Sequence, residues 1–134
     1  MEPRGIRNNN PLNIRRNNTV WQGMKPIVTD HSFVEFKSMA WGYRAAWRIL
    51  FNYFYRFVSE KKPFNVTTII HRWAPPCEND TQAYIGTVLR LTGLGGKENL
   101  VSLFCFLAQR GNHVSFPADG NILWFKIMFY VNSK

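Results

Sequence analysis

Apolar residues recur every three or four positions between residues 43 and 58, which is the spacing of one face of an amphipathic helix. Ser38 precedes this pattern and is a common N-cap residue, so we expect the helix to begin there. The sequence SEKKP that follows the pattern ends in proline and predicts the end of the helix. The residues expected on its buried face are Tyr43, Ala46, Trp47, Leu50, Phe51, Phe54, Phe57 and Val58.

A second and a third helix are predicted between residues 65 and 93. Asn65 or Thr67 is expected to cap the second helix, which must stop at the Ala-Pro-Pro sequence because a proline ring clashes with the preceding turn. Asn79 or Asp80 is expected to cap the third helix, and Gly93 is a typical C-terminal stop. The predicted buried positions of these helices are Val66, Ile69, Ile70, Trp73, Tyr84, Ile85, Val88, Leu89 and Leu91.

The two ends of the chain give weaker patterns. Residues 4–18 are rich in arginine and asparagine and predict an ordered loop, whereas residues 33–36 include an apolar-polar alternation that predicts a short strand. A fourth helix is predicted from about Lys97 to Gln109, and a helix is favoured for the apolar sequence ILWFKIMFYV. The predicted fold class is α+β and mainly helical, with residues 1–134 as one domain of four to five helices and a small N-terminal β element.

The composition adds a strong positive charge, since 17 Lys and Arg residues exceed 8 Asp and Glu residues and give a formal net charge of +9. Such a field attracts polyanions, which include nucleic acid, anionic lipid and the polymers of a bacterial wall. Nucleic acid is the least favoured of these, because no recognised motif is present and the aromatic residues fall mainly on helical core faces. No stretch typical of a signal peptide or of a membrane span is found, so synthesis in the cytoplasm is expected.

Motifs for metals and cofactors are missing from the sequence. Cys77 and Cys105 do not have the spacing of zinc ligands, and the sequence TGLGGK does not match a phosphate-binding loop. We therefore expect no metal, no cofactor and two free thiols.

The sequence RWAPPCEN is the most unusual polar segment of the chain. Its two prolines stiffen the backbone that leads to Glu78 and Asn79 at a helix start, where the helix dipole stabilises an anion. Together with Arg72 and Trp73, these residues resemble a carbohydrate-binding edge, in which an aromatic ring stacks on a sugar face. The simpler alternative is that Glu78 only complements the helix dipole and that Trp73 belongs to the core.

Two long motifs carry a resemblance to known proteins. The sequences RGIRNNNPLNIR and IIHRWAPPCENDTQAYIGTV, with WQGM, FVEF and WGYRAAWRIL between them, resemble a family of small phage-associated proteins described as virion or structural proteins. The resemblance covers about residues 4–95. It implies association with a virion and other virion proteins as partners.

That family is in turn similar to the lysozyme-like superfamily of peptidoglycan hydrolases, in its glucosaminidase and lytic transglycosylase branches. This similarity implies a lysozyme-like fold with a groove for peptidoglycan glycan strands. In those enzymes the catalytic glutamate precedes the Asn-rich segment, where this sequence has only Glu2, so the candidate catalytic residues are Glu78 and Glu35. The candidate substrate-binding residues are Asn8, Asn9, Asn10, Arg72, Trp73, Asn79 and Tyr84.

Three functions are consistent with these features. The first is a lysozyme-like domain of phage or prophage type that binds or cleaves β-1,4-linked glycan at the bacterial cell wall. The second is a non-enzymatic virion component that uses the same groove for binding or assembly. The third is a basic nucleic-acid-binding protein. The missing upstream glutamate leaves open whether the chain is a glycosidase at all.

Overall fold

The computed structural model describes residues 2–109, with side chains described as far as residue 105. The helices of this part of the chain are α1 (Arg4–Arg7), α2 (Met39–Ser59), α3 (Val66–Trp73), α4 (Thr81–Thr92) and α5 (Val101–Gln109). The helix α3 packs on α4, and the long helix α2 packs on α5. The mainly helical architecture predicted from the sequence is confirmed, while the predicted helix at ILWFKIMFYV lies outside the described residues.

Local capping sets the boundaries of α3 and α4. The Asn65 side chain accepts a hydrogen bond from the Thr68 amide, and the Thr68 hydroxyl accepts one from the Asn65 amide, which completes a capping box. Asp80 caps α4 by accepting a hydrogen bond from the Ala83 amide. The helix α4 ends at Gly93, whose φ of 73° lies in the left-handed region that glycine adopts easily. Each helix therefore uses one of the two cap residues predicted for it.

The helix α5 begins at Val101 and not at about Lys97 as predicted. The Leu100 amide donates a hydrogen bond to the Phe64 carbonyl over 2.9 Å, and the Val101 amide donates one to Asn99 Oδ1 over 2.9 Å. The first bond holds the residues before α5 against the segment that leads into α3, and the second is a local bond at the start of the helix. The main chain there is engaged by tertiary contacts, so the helix starts a turn later.

The core between α2 and α5 consists largely of phenylalanine side chains. Phe54 and Phe57 of α2 meet Phe64, which precedes α3, and Phe104 of α5. The ring centroids of Phe64 and Phe104 lie 4.8 Å apart with the planes at 88°. Edge-to-face pairs of this kind add to the stabilisation that burial provides.

Two residues of the predicted buried faces are exposed instead. Val58 is 46% exposed and Leu91 is 40% exposed. Both lie in the last turn of their helices, where the chain continues into exposed loop residues. Helical spacing identified the face correctly, but it does not show how far along the helix the packing partners extend.

The N-terminal segment, residues 4–37, folds largely without regular strands. Residues 33–36, where the sequence predicts a strand, pair with residues 14–16 at one end and with residues 23–25 at the other. Because each neighbour is engaged at a single residue pair, no ladder extends and the predicted β element is not confirmed as a sheet. Within the described residues, this pairing consists of the isolated antiparallel bridges Arg15–Phe33 and Met24–Phe36.

Candidate functional site

An open groove of about 760 Å³ lies between the N-terminal segment and the helices α2, α3 and α4. The N-terminal segment supplies one wall, α2 supplies the floor residues, and the other wall comes from the end of α3, the proline turn and Tyr84 of α4. Half of the lining side chains are aromatic rings and side-chain amides, and three are charged. The lining residues are Leu12, Asn13, Ile14, Arg15, Asn17, Thr19, Trp21, Phe33, Ile49, Asn52, Tyr53, Arg72, Trp73, Ala74, Pro75, Glu78, Asn79 and Tyr84.

The proline turn between α3 and α4 fixes one rim of the groove. The amides of Glu78 and Asn79 both donate to the Pro75 carbonyl, over 3.0 and 3.1 Å. The buried Thr81 hydroxyl donates to the Ala74 carbonyl over 2.5 Å, which ties the start of α4 to the end of α3. The backbone of Glu78 is thereby held, while its side chain is exposed on the groove rim.

Tyr53 and Arg72 meet inside the groove. Burial raises the pKa of the Tyr53 phenol, and the charge of Arg72 together with a hydrogen bond from it partly opposes that shift. Tyr53 is therefore a neutral phenol at neutral pH. The pair presents a hydroxyl and a guanidinium beside the Trp73 ring, all of which line the same cleft.

Aromatic rings and amides of the N-terminal segment and α2 complete the groove, and most of them are absent from the residues predicted to bind substrate. Trp21 contributes an indole N–H that is buried and has no hydrogen-bond partner among the described residues. Asn52 is exposed on α2, one position before Tyr53. No periodicity links these positions to the RWAPPCEN segment, so sequence spacing alone could not have grouped them.

The asparagines at positions 8 to 10 lie away from the groove lining, in the interior of the N-terminal segment. Asn10 is fully buried, and its side-chain amide donates to the carbonyls of Ile14 and Val34 over 3.0 and 2.9 Å and accepts from the Ile14 amide. Asn9 donates to the Phe36 carbonyl over 3.0 Å. These hydrogen bonds hold the N-terminal segment together. A role of the three asparagines in glycan binding stays a prediction.

Glu35 is buried and lies in a second concavity of about 470 Å³, together with Asn8 and Asp30. Its carboxylate accepts hydrogen bonds from Arg16, from the Thr29 amide and hydroxyl, and from the Asp30 amide. Burial raises the pKa of Glu35, but these bonds outweigh it and hold the pKa at about 2. A carboxyl group with that pKa is ionised at neutral pH, which does not suit a general acid.

Asp30 is the second carboxylate of this concavity. The Asn8 side chain donates to it over 3.0 Å, Arg4 forms an ion pair with it over 3.0 Å, and the Ser32 and Phe33 amides donate to its other oxygen. The hydrogen bond from Asn8 is the main cause that lowers its pKa to about 2. From the sequence, Asp30 is one of five acids that could supply a carboxylate pair, but it is not a candidate site residue. It lies in the sequence TDHS, a predicted turn in which an acid often accepts main-chain hydrogen bonds.

The chain is 41% identical over 100 residues to protein P5 of Pseudoalteromonas phage PM2. A phage protein is therefore a homologue of this chain. The match takes in 72% of this chain and 60% of the phage protein. No family model matches the sequence.

Three further findings concern metal binding, membrane spans and the two cysteines. Among residues 2–109, no three histidine, cysteine or acidic side chains are grouped in a way that could bind a metal ion. None of the helices described has the length and apolar character that a membrane span requires. Cys77 and Cys105 are both exposed and free.

Proposed function

We propose that the chain is a non-enzymatic component of a phage or prophage particle and that its groove binds β-1,4-linked glycan strands of the bacterial cell wall. The observation that carries this proposal is the lining of the groove, in which Trp21, Tyr53, Trp73 and Tyr84 lie among four asparagines. Aromatic rings stack on the apolar faces of sugars, and amides hydrogen-bond to hydroxyl groups. Homology to a phage protein supports the proposal that the chain is a component of a phage particle. The second class of partner that we propose is the other proteins of that particle.

The charge of the chain supports the same proposal. With a net charge of +9, the molecule is attracted to the anionic polymers that accompany wall glycans. Two of the charged side chains in the groove are the arginines Arg15 and Arg72, and the third is Glu78. We therefore expect binding to weaken as salt shortens the screening length from about 10 Å at 0.1 M to about 3 Å at 1 M.

A lysozyme-like hydrolase is the alternative function, and the position of Glu78 on the rim beside Trp73 is the observation in its favour. Cleavage of a glycosidic bond by the usual route needs two carboxyl groups on either side of the bond. The described residues that line the groove supply one carboxylate, and Glu35 belongs to the other concavity. For this reason we favour binding without cleavage.

The binding experiment compares two exposed arginines. Purified peptidoglycan sacculi are sedimented with the parent protein, with Arg72→Ala and with the matched control Arg90→Ala, which alters an exposed arginine of α4 outside the groove lining. Loss of a charged hydrogen-bonding group at the site should weaken binding by about tenfold, whereas the control should bind like the parent. Equal binding by all three proteins would show that the groove is not the binding site for the glycan.

The cleavage experiment uses the same sacculi and measures the fall in turbidity. We expect no lysis by the parent protein, and Glu78→Gln should leave both turbidity and melting temperature unchanged. Lysis by the parent that disappears in Glu78→Gln, with stability and sedimentation retained, would establish the hydrolase in place of the binding protein. Retention of the parent by single-stranded or duplex DNA, and not by sacculi, would support the nucleic-acid alternative.

A further inference from the structure

The most exposed apolar side chains of the described structure are concentrated in one loop, residues 20–28, which we call the apolar loop. Val20 is 88% exposed, Ile27 is 75% exposed and Val28 is 43% exposed. The other large hydrophobic residues that are exposed within residues 2–105 lie on α2, α4 and α5, and none exceeds 56%. Isolated exposed residues are common, but a group of such strongly exposed aliphatic side chains within nine positions is not.

The apolar loop contains a turn that hydrogen bonds close. The Met24 amide donates to the Trp21 carbonyl over 3.3 Å, and the Trp21 amide donates to the sulfur of Met24 over 3.0 Å. A turn closed by such a bond brings the first and last residues within about 7 Å, so the chain enters and leaves at one place. Val20 directly precedes this turn, and Ile27 is the third residue after it. Two strongly exposed aliphatic side chains therefore flank one turn.

One lysine lies within the apolar loop and another beside it, and the acids near the loop form ion pairs. Lys25 follows the turn, and Lys37 lies beside it because its amide donates to the Gly23 carbonyl over 2.8 Å. The two acids between residues 15 and 37 are Asp30 and Glu35, and each forms an ion pair with an arginine, over 3.0 and 2.8 Å. The surface around the loop therefore carries positive charge that these acids do not cancel.

We propose that the apolar loop inserts into the surface of an anionic lipid bilayer. Aliphatic side chains at the tip transfer into the boundary between headgroups and acyl chains, while lysines at the same level bind the anionic headgroups. Nucleic acid would meet the same positive charge, but Val20 and Ile27 have no aromatic face on which a base could stack. Insertion of this kind needs no membrane-spanning helix and uses Val20, Ile27 and Val28, none of which lines the groove, whereas Trp21 of the same loop does.

The test measures sedimentation of the full chain with two sets of vesicles. One set is phosphatidylcholine alone, and the other is equal parts phosphatidylcholine and phosphatidylglycerol. The parent protein should bind the mixed vesicles and not the neutral ones. The double variant with Val20→Ser and Ile27→Ser should bind at least about tenfold more weakly, as removal of two aliphatic side chains from an apolar environment predicts.

The matched control removes two equally apolar side chains elsewhere. Val58→Ser with Leu91→Ser changes residues that are 46% and 40% exposed on α2 and α4, and it should bind mixed vesicles like the parent. Circular dichroism and melting temperature establish that both double variants are folded. Absence of vesicle binding by the parent, equal losses in both double variants, or binding of DNA in place of vesicles would overturn the proposal. Concentration-dependent dimers that the loop variant abolishes, without vesicle binding, would assign the loop to a second copy of the chain instead.

Discussion

The N-terminal segment and the helical region both bury apolar side chains, but the N-terminal segment also buries a network of polar ones. In the N-terminal segment, Asn8, Asn10 and Glu35 are 2%, 0% and 3% exposed, and they hold loops together through hydrogen bonds to main chain and side chains. In the helical region, the interior around Phe54 and Phe64 consists of apolar rings and aliphatic chains. The helical region is held mainly by area removed from water, whereas the N-terminal segment adds directional bonds to the burial of apolar side chains such as Leu12 and Phe36.

The difference determines how each region should respond to change. A hydrogen-bonded interior requires a given donor opposite a given acceptor, and loss of one partner leaves a buried polar group unsatisfied. An apolar interior requires approximate volume and tolerates exchange among aliphatic side chains. The N-terminal segment should therefore be sensitive to conservative substitutions and to pH, whereas the helical region should be sensitive to neither.

The largest expected effect is that of Asn10→Ala. It removes the partners of two buried carbonyls and one buried amide, so the free energy of unfolding should fall by about 4 kcal/mol. In the helical region, Ile70→Val at a fully buried position should cost only about 1 kcal/mol. Urea denaturation measures both, and Asn18→Ala at an exposed position is the control. Similar losses for Asn10→Ala and Asn18→Ala would contradict the framework role of Asn10.

The second effect concerns the contact between the two regions, at Gly42 of α2. A Cβ atom there would lie 1.9 Å from the Asn9 carbonyl oxygen and 2.7 Å from Cδ of Pro11, so Gly42→Ala must push the N-terminal segment away. We expect a loss of about 3 kcal/mol, at the upper end of typical overpacking costs. A melting temperature unchanged by Gly42→Ala would show that the two regions are not in such close contact.

The third effect is a loss of stability in acid through Glu35. The pKa of this group falls from 4.5 to about 2 on folding, so its carboxylate stabilises the fold above pH 4.5, and this contribution is lost as the pH falls toward 2. A shift of this size corresponds to about 3 kcal/mol, and solvent screening in the open concavity should reduce the contribution to about 2 kcal/mol. Asp30, whose pKa falls from 3.8 to about 2, acts in the same direction.

Urea titrations at intervals of about one pH unit between pH 6 and pH 2 measure this dependence, because such intervals resolve the pKa shift of Glu35. Glu35→Gln should be less stable than the parent at neutral pH and should show a shallower dependence on pH. Ile70→Val is the control, because it should keep the full dependence of the parent. An equally steep dependence in Glu35→Gln would place the sensitive group elsewhere.

The smallest effect should be a gain, at Gly86 of α4. A Cβ atom at this position meets nothing within 4 Å, in contrast to Gly42, although both glycines lie inside helices. Replacement by alanine removes conformational freedom from the unfolded chain and should stabilise the fold by about 0.5–1 kcal/mol. Thermal melting measures the change, and a decrease in melting temperature would mean that α4 has a neighbour at that face.

Helices α2, α3 and α4 could be predicted from the sequence because their information is local. Apolar spacing defined the faces, Ser38, Asn65 and Asp80 stood at the starts, and Gly93 stood at an end. The predicted boundary failed at α5, where the bond from Leu100 to Phe64 joins residues far apart in sequence. Local patterns carry no signal for such a bond.

The candidate groove was predictable in part. The RWAPPCEN segment indicated Arg72, Trp73, Glu78 and Asn79 through its own rigidity, and all four line the groove. Asn52 and Tyr53 line the same groove from α2, and no pattern in the sequence of that helix identifies them as groove residues. Their place depends on how helices pack, which is a property of the assembled chain.

The sequence alone determined the helical segments, the positive charge and the stiff turn before α4, because each depends on residues that are neighbours along the chain. Only the tertiary structure decided the state of the polar residues in the N-terminal segment. Alternation placed Glu35 on a polar face, yet Arg16 and the amides of Thr29 and Asp30 surround its carboxylate and allow it to be buried. A charged group can leave water only where such partners converge, and their convergence is fixed by the fold and not by the local sequence.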